Sequence, residues 1–204
     1  MLVRPSPLPD ELDRGYLGRV MRINGFSSEK DAIECMVRMF GLEHLTQHER
    51  SRLELLALMA GQSSEHFAQR HSTVPVRRAI TSFLPDLPHG SLTRRTLLSV
   101  SGLTSMRPGA YLCRSCVAAD LKSRRGISYW RREHQIPGLL WCPQHQHALG
   151  YVDSEEAFLM SPAHCVEDAD LLPESWVVQY QSNTGIARFL EIVSGLGVLS
   201  LIHI

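Results

Sequence analysis

Two short pairs of metal-binding residues constrain this chain more than any other feature. Cys113 and Cys116 have two residues between them, and after twenty-five intervening residues come Cys142 and His145, again with two between. Each pair can turn so that both side chains point at one spot. Four such ligands make the tetrahedron that zinc takes, with Zn–S bonds of about 2.3 Å and Zn–N bonds of about 2.0 Å. Pro143, inside the second pair, favours a turn there. Four protein ligands leave no open position for water, so the spacing predicts one structural zinc ion per chain and not a catalytic one. Two other readings stay open: a redox C-x-x-C, which belongs beside a βαβ pattern that the chain does not show, and cysteines buried independently of any metal. His147 and His134 are alternative ligands. Cys165, beside His164, is a further ligand source with no paired partner, and Cys35, among Ile33, Met36 and Val37, reads as a small core residue.

The same stretch carries a resemblance. The string SYWRREHQIPGLLWCPQHQHAL, residues 128–149, with YLCRSCVAADL before it, resembles the zinc-binding part of the TniQ family. The shared features are Cys113, Cys116, Asp120, Tyr129, Trp130, Arg131, His134, Gln135, Pro137, Cys142 and His145. PLPDELDRGYLGRVMRINGF, residues 7–26, and SSEHFAQRHSTVP, residues 63–75, are similar to the family's N-terminal part. The resemblance touches most of residues 5–150, is weaker over 76–110 and is slight after 151. It implies a non-enzymatic adaptor that helps choose the DNA target of a transposon. Such proteins work with an AAA+ ATPase and a transposase, and some dock on an RNA-guided CRISPR complex.

The 204 residues suffice for one domain or two small ones with a real core. With 44% apolar and 21% charged residues, the composition argues against disorder. No basic run followed by an apolar stretch suggests a signal peptide, and no window approaches a membrane span. Cysteines grouped as metal ligands suit a reducing cytoplasm better than a secreted disulfide scaffold.

The net charge of zero hides an uneven distribution. Residues 1–69 carry 8 basic and 10 acidic side chains, residues 70–135 carry 12 and 3, and residues 136–204 carry 1 and 8. Eleven of the twelve basic residues in the middle block are arginines, whose forked donors suit phosphate. Arg70, Arg77, Arg78, Arg94, Arg95, Arg124, Arg125, Arg131 and Arg132 are the candidates for contact with DNA, RNA or an acidic partner. The competing reading is that these arginines pair with the acidic C-terminal block or form a solvated face.

Periodicity predicts a mainly α-helical protein: a helical bundle, with a helix-turn-helix open within it, and a small zinc-ribbon-like module. Asp10 and Glu11 start a helix running toward Ile23, with Leu12, Tyr16, Leu17 and Val20 on one face, and Asn24-Gly25 ends it. Ser27 or Ser28 caps the next helix, which carries Ile33, Met36, Val37 and Phe40 and stops at Gly41. Thr46 and Glu49 form a capping box for a helix with Leu53, Leu55, Leu56, Leu58 and Met59 that stops near Gly61. Ser63 or Ser64 caps a short helix with Phe67 and Ala68 inward, and Pro75 opens a segment through Leu84. Residues 46–71 admit either a helix-turn-helix or plain bundle packing, and Gln69, Arg70, Arg77 and Arg78 would serve on a recognition face. Residues 85–110, rich in proline and glycine, read as a connection, with Thr93 to Val100 undecided between helix and strand. In the zinc module a short helix falls around residues 128–134, with Tyr129 and Trp130 on the metal turns, Arg131 and Arg132 facing out and Trp141 in the core. His134 is either a donor supporting the metal site or a satisfied polar residue. Residues 154–160 read as a short helix, and Pro173 opens a helical segment with Trp176, Val177, Tyr180 and Leu190 on apolar positions.

The expected domains are a helical region over 1–104, a zinc-binding module over 105–150 and the start of a C-terminal helical region over 151–198. The last six residues, Leu-Ser-Leu-Ile-His-Ile, equal the translation of CTG TCT CTT ATA CAC ATC, which resembles a transposase end sequence used as a sequencing adapter. The expectation is that residues 199–204 are adapter and that the native chain continues; the alternative is a hydrophobic C-terminal end.

No catalytic set emerges. Carboxylates that could hold two metal ions for phosphoryl transfer are not marked by any context, and neither a Walker loop nor a nucleophile elbow occurs. The chain is therefore expected not to be an enzyme. A stand-alone zinc-containing DNA-binding regulator is the second reading, and a homodimer is an open expectation. A catalytic zinc would require that one of Cys113, Cys116, Cys142 and His145 is not a ligand.

Overall fold

The computed structural model describes residues 2–46, 51–76, 106–123 and 125–195. Among these the protein is mainly helical, with a small antiparallel sheet. The expectations for 77–84, for Thr93 to Val100 and for 199–204 lie outside the described residues.

Four helices build the first half: α1 (Asp13–Asn24), α2 (Glu29–Met39), α3 (Arg52–Ala60) and α4 (Ser64–His71). Helix α1 ends as expected at Gly25, whose left-handed φ of 70° lets its N–H reach back to the last carbonyls. Ser28 Oγ accepts the N–H of Asp31 to start α2, and Ser63 Oγ accepts that of His66 to start α4. Helix α3 is capped by Ser51, which accepts from Glu54 N, while the expected Thr46–Glu49 capping box reaches outside the described residues. Tyr16, Leu17 and Val20 of α1, Met36 and Val37 of α2, Leu53, Leu56 and Met59 of α3 and Phe67 of α4 form one core.

Helix α1 begins at Asp13, three residues after its expected start. Asp10 has a left-handed φ of 54° and Glu11 forms an antiparallel bridge with Arg131. The Asp10 carboxylate goes to Arg132, far along the chain, and that of Glu11 to Arg19 on α1 itself, instead of to a first helical turn. Leu12 N donates to Trp130 O at 2.8 Å beside that bridge.

The second half opens with β1 (Ala110–Leu112) and α5 (Arg114–Lys122). Strand β1 pairs with β2 (Gly150–Val152), and β2 with β3 (Asp170–Leu171), all antiparallel in the order β1-β2-β3. The outer edge of β1 is closed by a side chain: Gln135 accepts Tyr111 N at 3.0 Å and donates to Tyr111 O at 2.8 Å. Residues 128–130 are irregular, Arg131 sits in the bridge to Glu11, and only Glu133–Gln135, entered from a helical Arg132, makes a 3-10 turn, so the short helix expected there is smaller than its pattern suggested.

A second 3-10 turn, Glu155–Leu159, capped by Ser154, carries Phe158 against Trp130. It packs on α1 where that helix has no side chains: a Cβ on Gly18 would meet Phe158 O at 2.4 Å, and one on Gly15 would meet Trp130 Cβ at 2.8 Å. Leu12, Ala110, Leu112, Trp130, Phe158 and Cys165 close this second core. After α6 (Pro162–Cys165), the segment that Pro173 opens is two helices, α7 (Glu174–Gln181) and α8 (Thr184–Gly195), because Asn183 Oδ1 accepts the N–H groups of Gly185 and Ile186 and starts a new helix. Leu190 of α8 packs on Ile136 and Leu139. Trp176, expected on an apolar face, is 53% exposed.

Candidate metal centre

Strand β1 runs directly into the first ligand pair. Cys113 is the residue before α5 and Cys116 lies in its first turn, so the helix start swings both sulfurs to one side. The second pair sits on a narrow loop. Cys142 N donates to His147 O at 2.8 Å, Gln146 N donates to Cys142 O at 2.7 Å, and Gln146 takes a left-handed φ of 57°. Leu149 N to Leu140 O and the Trp141–Ala148 bridge hold the base of the loop.

The four ligand atoms come together within 4.8 Å of one another. Cys116 and Cys142 sulfurs lie 3.6 Å apart, and His145 Nδ1 lies 3.6, 3.3 and 3.6 Å from the sulfurs of Cys113, Cys116 and Cys142. A zinc tetrahedron with ordinary bond lengths has S···S edges of about 3.8 Å and S···N edges of about 3.6 Å. The residues present therefore fit a tetrahedral zinc ion. The three cysteines are buried and His145 is half-buried, while Leu149, Tyr111 and Leu172 pack around the sulfurs.

The sulfurs cannot ionise independently at this spacing. Hydrogen bonds from Cys116 and then Cys142 draw the Cys113 thiol down. The bond to Cys113 drives Cys116 and Cys142 up, with burial adding to both. Without a cation the cluster favours one thiolate; a dication at its centre would let all three exist.

The alternative ligands are elsewhere. His147 is exposed on the loop, Cys165 is buried in the second core, and Cys35 is half-buried on α2. His134 is 2% exposed and lies near the cluster without joining it. Its Nε2 has no hydrogen-bond partner, and burial, followed by the charge of Arg131, pushes it down to about 3. Trp141 is half-buried against Ile136 and Leu139.

Of the candidate arginines, Arg70 is exposed on α4 and Arg125 is exposed just beyond α5. Arg131 and Arg132, expected to face out, do not. Arg131 is 12% exposed and binds both oxygens of Asp120, at 2.9 and 2.8 Å. Arg132 is 16% exposed; its Nε donates to Asp10 Oδ1 at 2.9 Å and its Nη1 to Gln69 O at 2.6 Å. Their acids are thus Asp120 and Asp10, not members of the acidic C-terminal block. Arg77, Arg78, Arg94, Arg95 and Arg124 lie outside the described residues.

Periodicity missed the ion-pair partners. Asp10 and Glu11 carried a local signal, that of a helix start, which masked their ion-pair roles. Asp120 stood out only through the family resemblance.

The model of the TniQ family matches residues 2–149, more than half of the chain and inclusive of all four candidate ligands. No curated protein matches the chain. Among the described residues no helix is long and apolar enough to cross a membrane.

Proposed function

The chain belongs to the TniQ family, and from that membership we propose that it is a non-enzymatic adaptor in DNA transposition. The adaptor links a DNA-bound or RNA-guided targeting element to the transposition ATPase and transposase. One zinc ion, held by Cys113, Cys116, Cys142 and His145, is structural in this reading and fixes the module against the N-terminal helices. The observation that carries the reading is the family match over a length that includes both the α1–α4 core and the Cys3His cluster.

The closed ligand set supports a scaffold and not a reaction centre, since four protein ligands leave no site for a substrate on the metal. For an adaptor the useful surfaces are those that the fold leaves uncommitted. Arg70, on the second of two consecutive packed helices, and Arg125 are exposed basic side chains of this kind. The α3–α4 pair, joined by residues 61–63, also suits a stand-alone DNA-binding regulator.

The discriminating experiment reads the neighbouring genes and tests the purified chain against any AAA+ ATPase they encode. Retention of that ATPase on the immobilised chain, and loss of targeted insertion when the gene is deleted, support the adaptor. Tight binding to one DNA site with no retention of the ATPase and no change in insertion supports the regulator instead.

A further inference from the structure

Cys113, Cys116, Tyr129, Trp130, Arg131 and His134 line one small recess without room for a water. Arg131 brings a permanent charge to it and is held from several sides. Both terminal nitrogens are taken by the two oxygens of Asp120, and the guanidinium lies 4.3 Å from the centre of the Tyr129 ring. Asp120 is one helical turn past Cys116 on α5, so a single helix carries a sulfur ligand and the acid that aims the cation. The Arg131 backbone is bridged to Glu11 and flanked by the Leu12–Trp130 and Arg132–Asp10 hydrogen bonds.

Three thiolates around a dication leave one excess negative charge, in a site removed from water. A fixed cation nearby lowers the cost of that charge. Arg131 and Cys116 line the same small recess, and Asp120, which holds the guanidinium, stands one turn from Cys116 on α5.

We propose that Arg131 is a positioning residue of the metal centre: aimed by Asp120, its guanidinium offsets the excess charge at the Cys116 thiolate and slows metal loss. This rests on the reading of the Cys3His cluster as a metal site. It moves Arg131 from the nucleic-acid candidates to the metal centre, where its buried, doubly bonded guanidinium already lies.

The test compares the full chain with Arg131→Met, Arg131→Lys and Asp120→Asn, each loaded with zinc or with cobalt. Arg131→Met is expected to pass zinc to a competing chelator about 10- to 100-fold faster than the parent, the range of supporting-residue effects. Its thiolate-to-cobalt charge-transfer band should shift as well. Arg131→Lys should fall between the two, and Asp120→Asn should move in the same direction as Arg131→Met because the guanidinium loses its aim. If Arg131→Met does not fold, the other two variants carry the test. Variants that melt earlier but keep the parent's transfer rate and cobalt band overturn the inference and leave Arg131 a packing residue. A parent chain that takes up neither metal overturns the metal reading, and this inference with it.

Discussion

Asp10 and Arg132, 122 residues apart, are joined twice: the Asp10 carboxylate accepts Arg132 Nε at 2.9 Å, and the Asp10 carbonyl accepts the Arg132 backbone N–H at 2.8 Å. The second carboxylate oxygen accepts the N–H of Glu133, and Arg132 continues on to the Gln69 carbonyl near the end of α4. One acid therefore ties the N-terminal segment, α4 and the approach to the metal loop together. Asp10→Ala should cost about 1–3 kcal/mol in urea unfolding, through the lost charge-assisted bonds and an alanine forced into the left-handed region. Asp10→Asn should cost about half as much, since asparagine accepts φ > 0 and keeps one acceptor. Equal stability of Asp10→Ala and the parent would show that the junction does not contribute.

Glu11 and Arg19 form the most enclosed ion pair described, with Arg19 Nε and Nη2 donating to the two Glu11 oxygens at 2.8 and 2.7 Å. Glu11 also accepts Leu8 N, and its carbonyl faces His71 Nδ1 at 3.0 Å. Arg19→Met should destabilise by about 3–5 kcal/mol, because it leaves a buried carboxylate uncompensated. Adding Glu11→Gln should recover part of that loss. A double variant no better than Arg19→Met alone would argue against the uncompensated charge as the cause.

Glycine inside an exposed helix usually gains about 1 kcal/mol on change to alanine. At Gly18 the sign should reverse. The obstructing atoms are Phe158 O and the Leu159 backbone, which cannot rotate away. Gly18→Ala should lower stability by about 1–3 kcal/mol, the usual range for overpacking. A thermal melt at or above the parent's would mean that α1 and the Glu155–Leu159 turn separate more easily than their contact suggests.

What was legible in the sequence was local. The Cys113/Cys116 and Cys142/His145 pairs could be read because ligand spacing within each pair sets the turn, and Ser28 and Ser63 because a cap acts within three residues. The α1 core face followed from its 3.6-residue period. The misreadings share one physical cause, competition from ion-pair partners that no helical period marks. Asp10 and Glu11 look like a helix start and instead serve Arg132 and Arg19, while Arg131 and Arg132 look like surface charge and are consumed by Asp120 and Asp10. Trp176 shows the converse: apolar period placed it inward, yet it remains exposed while Val177 beside it is buried. No helical period encodes an ion pair between residues 8, 11 or 122 apart.

Metal removal should show how far the centre supports the rest. Zinc in small sites contributes about 10 kcal/mol or more of apparent binding free energy, much of it spent on folding. Cys142→Ser, or strong chelation of the parent under reducing conditions, should release the 140–149 loop and with it the pairing of β2. Hydrogen exchange should then rise across residues 110–112 and 150–152, while α2, packed in the other core, keeps its protection longest. Uniform protection with and without metal would remove zinc from the account of stability.

Acid should destabilise the chain through its buried neutral histidines. Burial, then the nearby Arg131 charge, depresses His134 from its ordinary range to about 3, and burial depresses His71 as well. A buried neutral histidine binds fewer protons in the folded chain than in the unfolded one at any pH between the two pKa values. Its contribution is therefore intact above the unfolded value, near about 6.5, and is lost as the pH falls below it. For His134 the window runs down to about 3, with a limiting slope of about 1.4 kcal/mol per pH unit. Protonation of the metal cysteines also destabilises the chain in acid, so the parent's curve alone is ambiguous. The difference between the parent and His134→Gln, both zinc-loaded, isolates the histidine. Between pH 6.5 and pH 5 the parent should lose up to about 2 kcal/mol more than the variant, the limiting slope taken over that interval. Parallel losses would mean that His134 can take a proton where it stands, with the Glu133 carboxylate, 3.8 Å from its Nε2, as the partner.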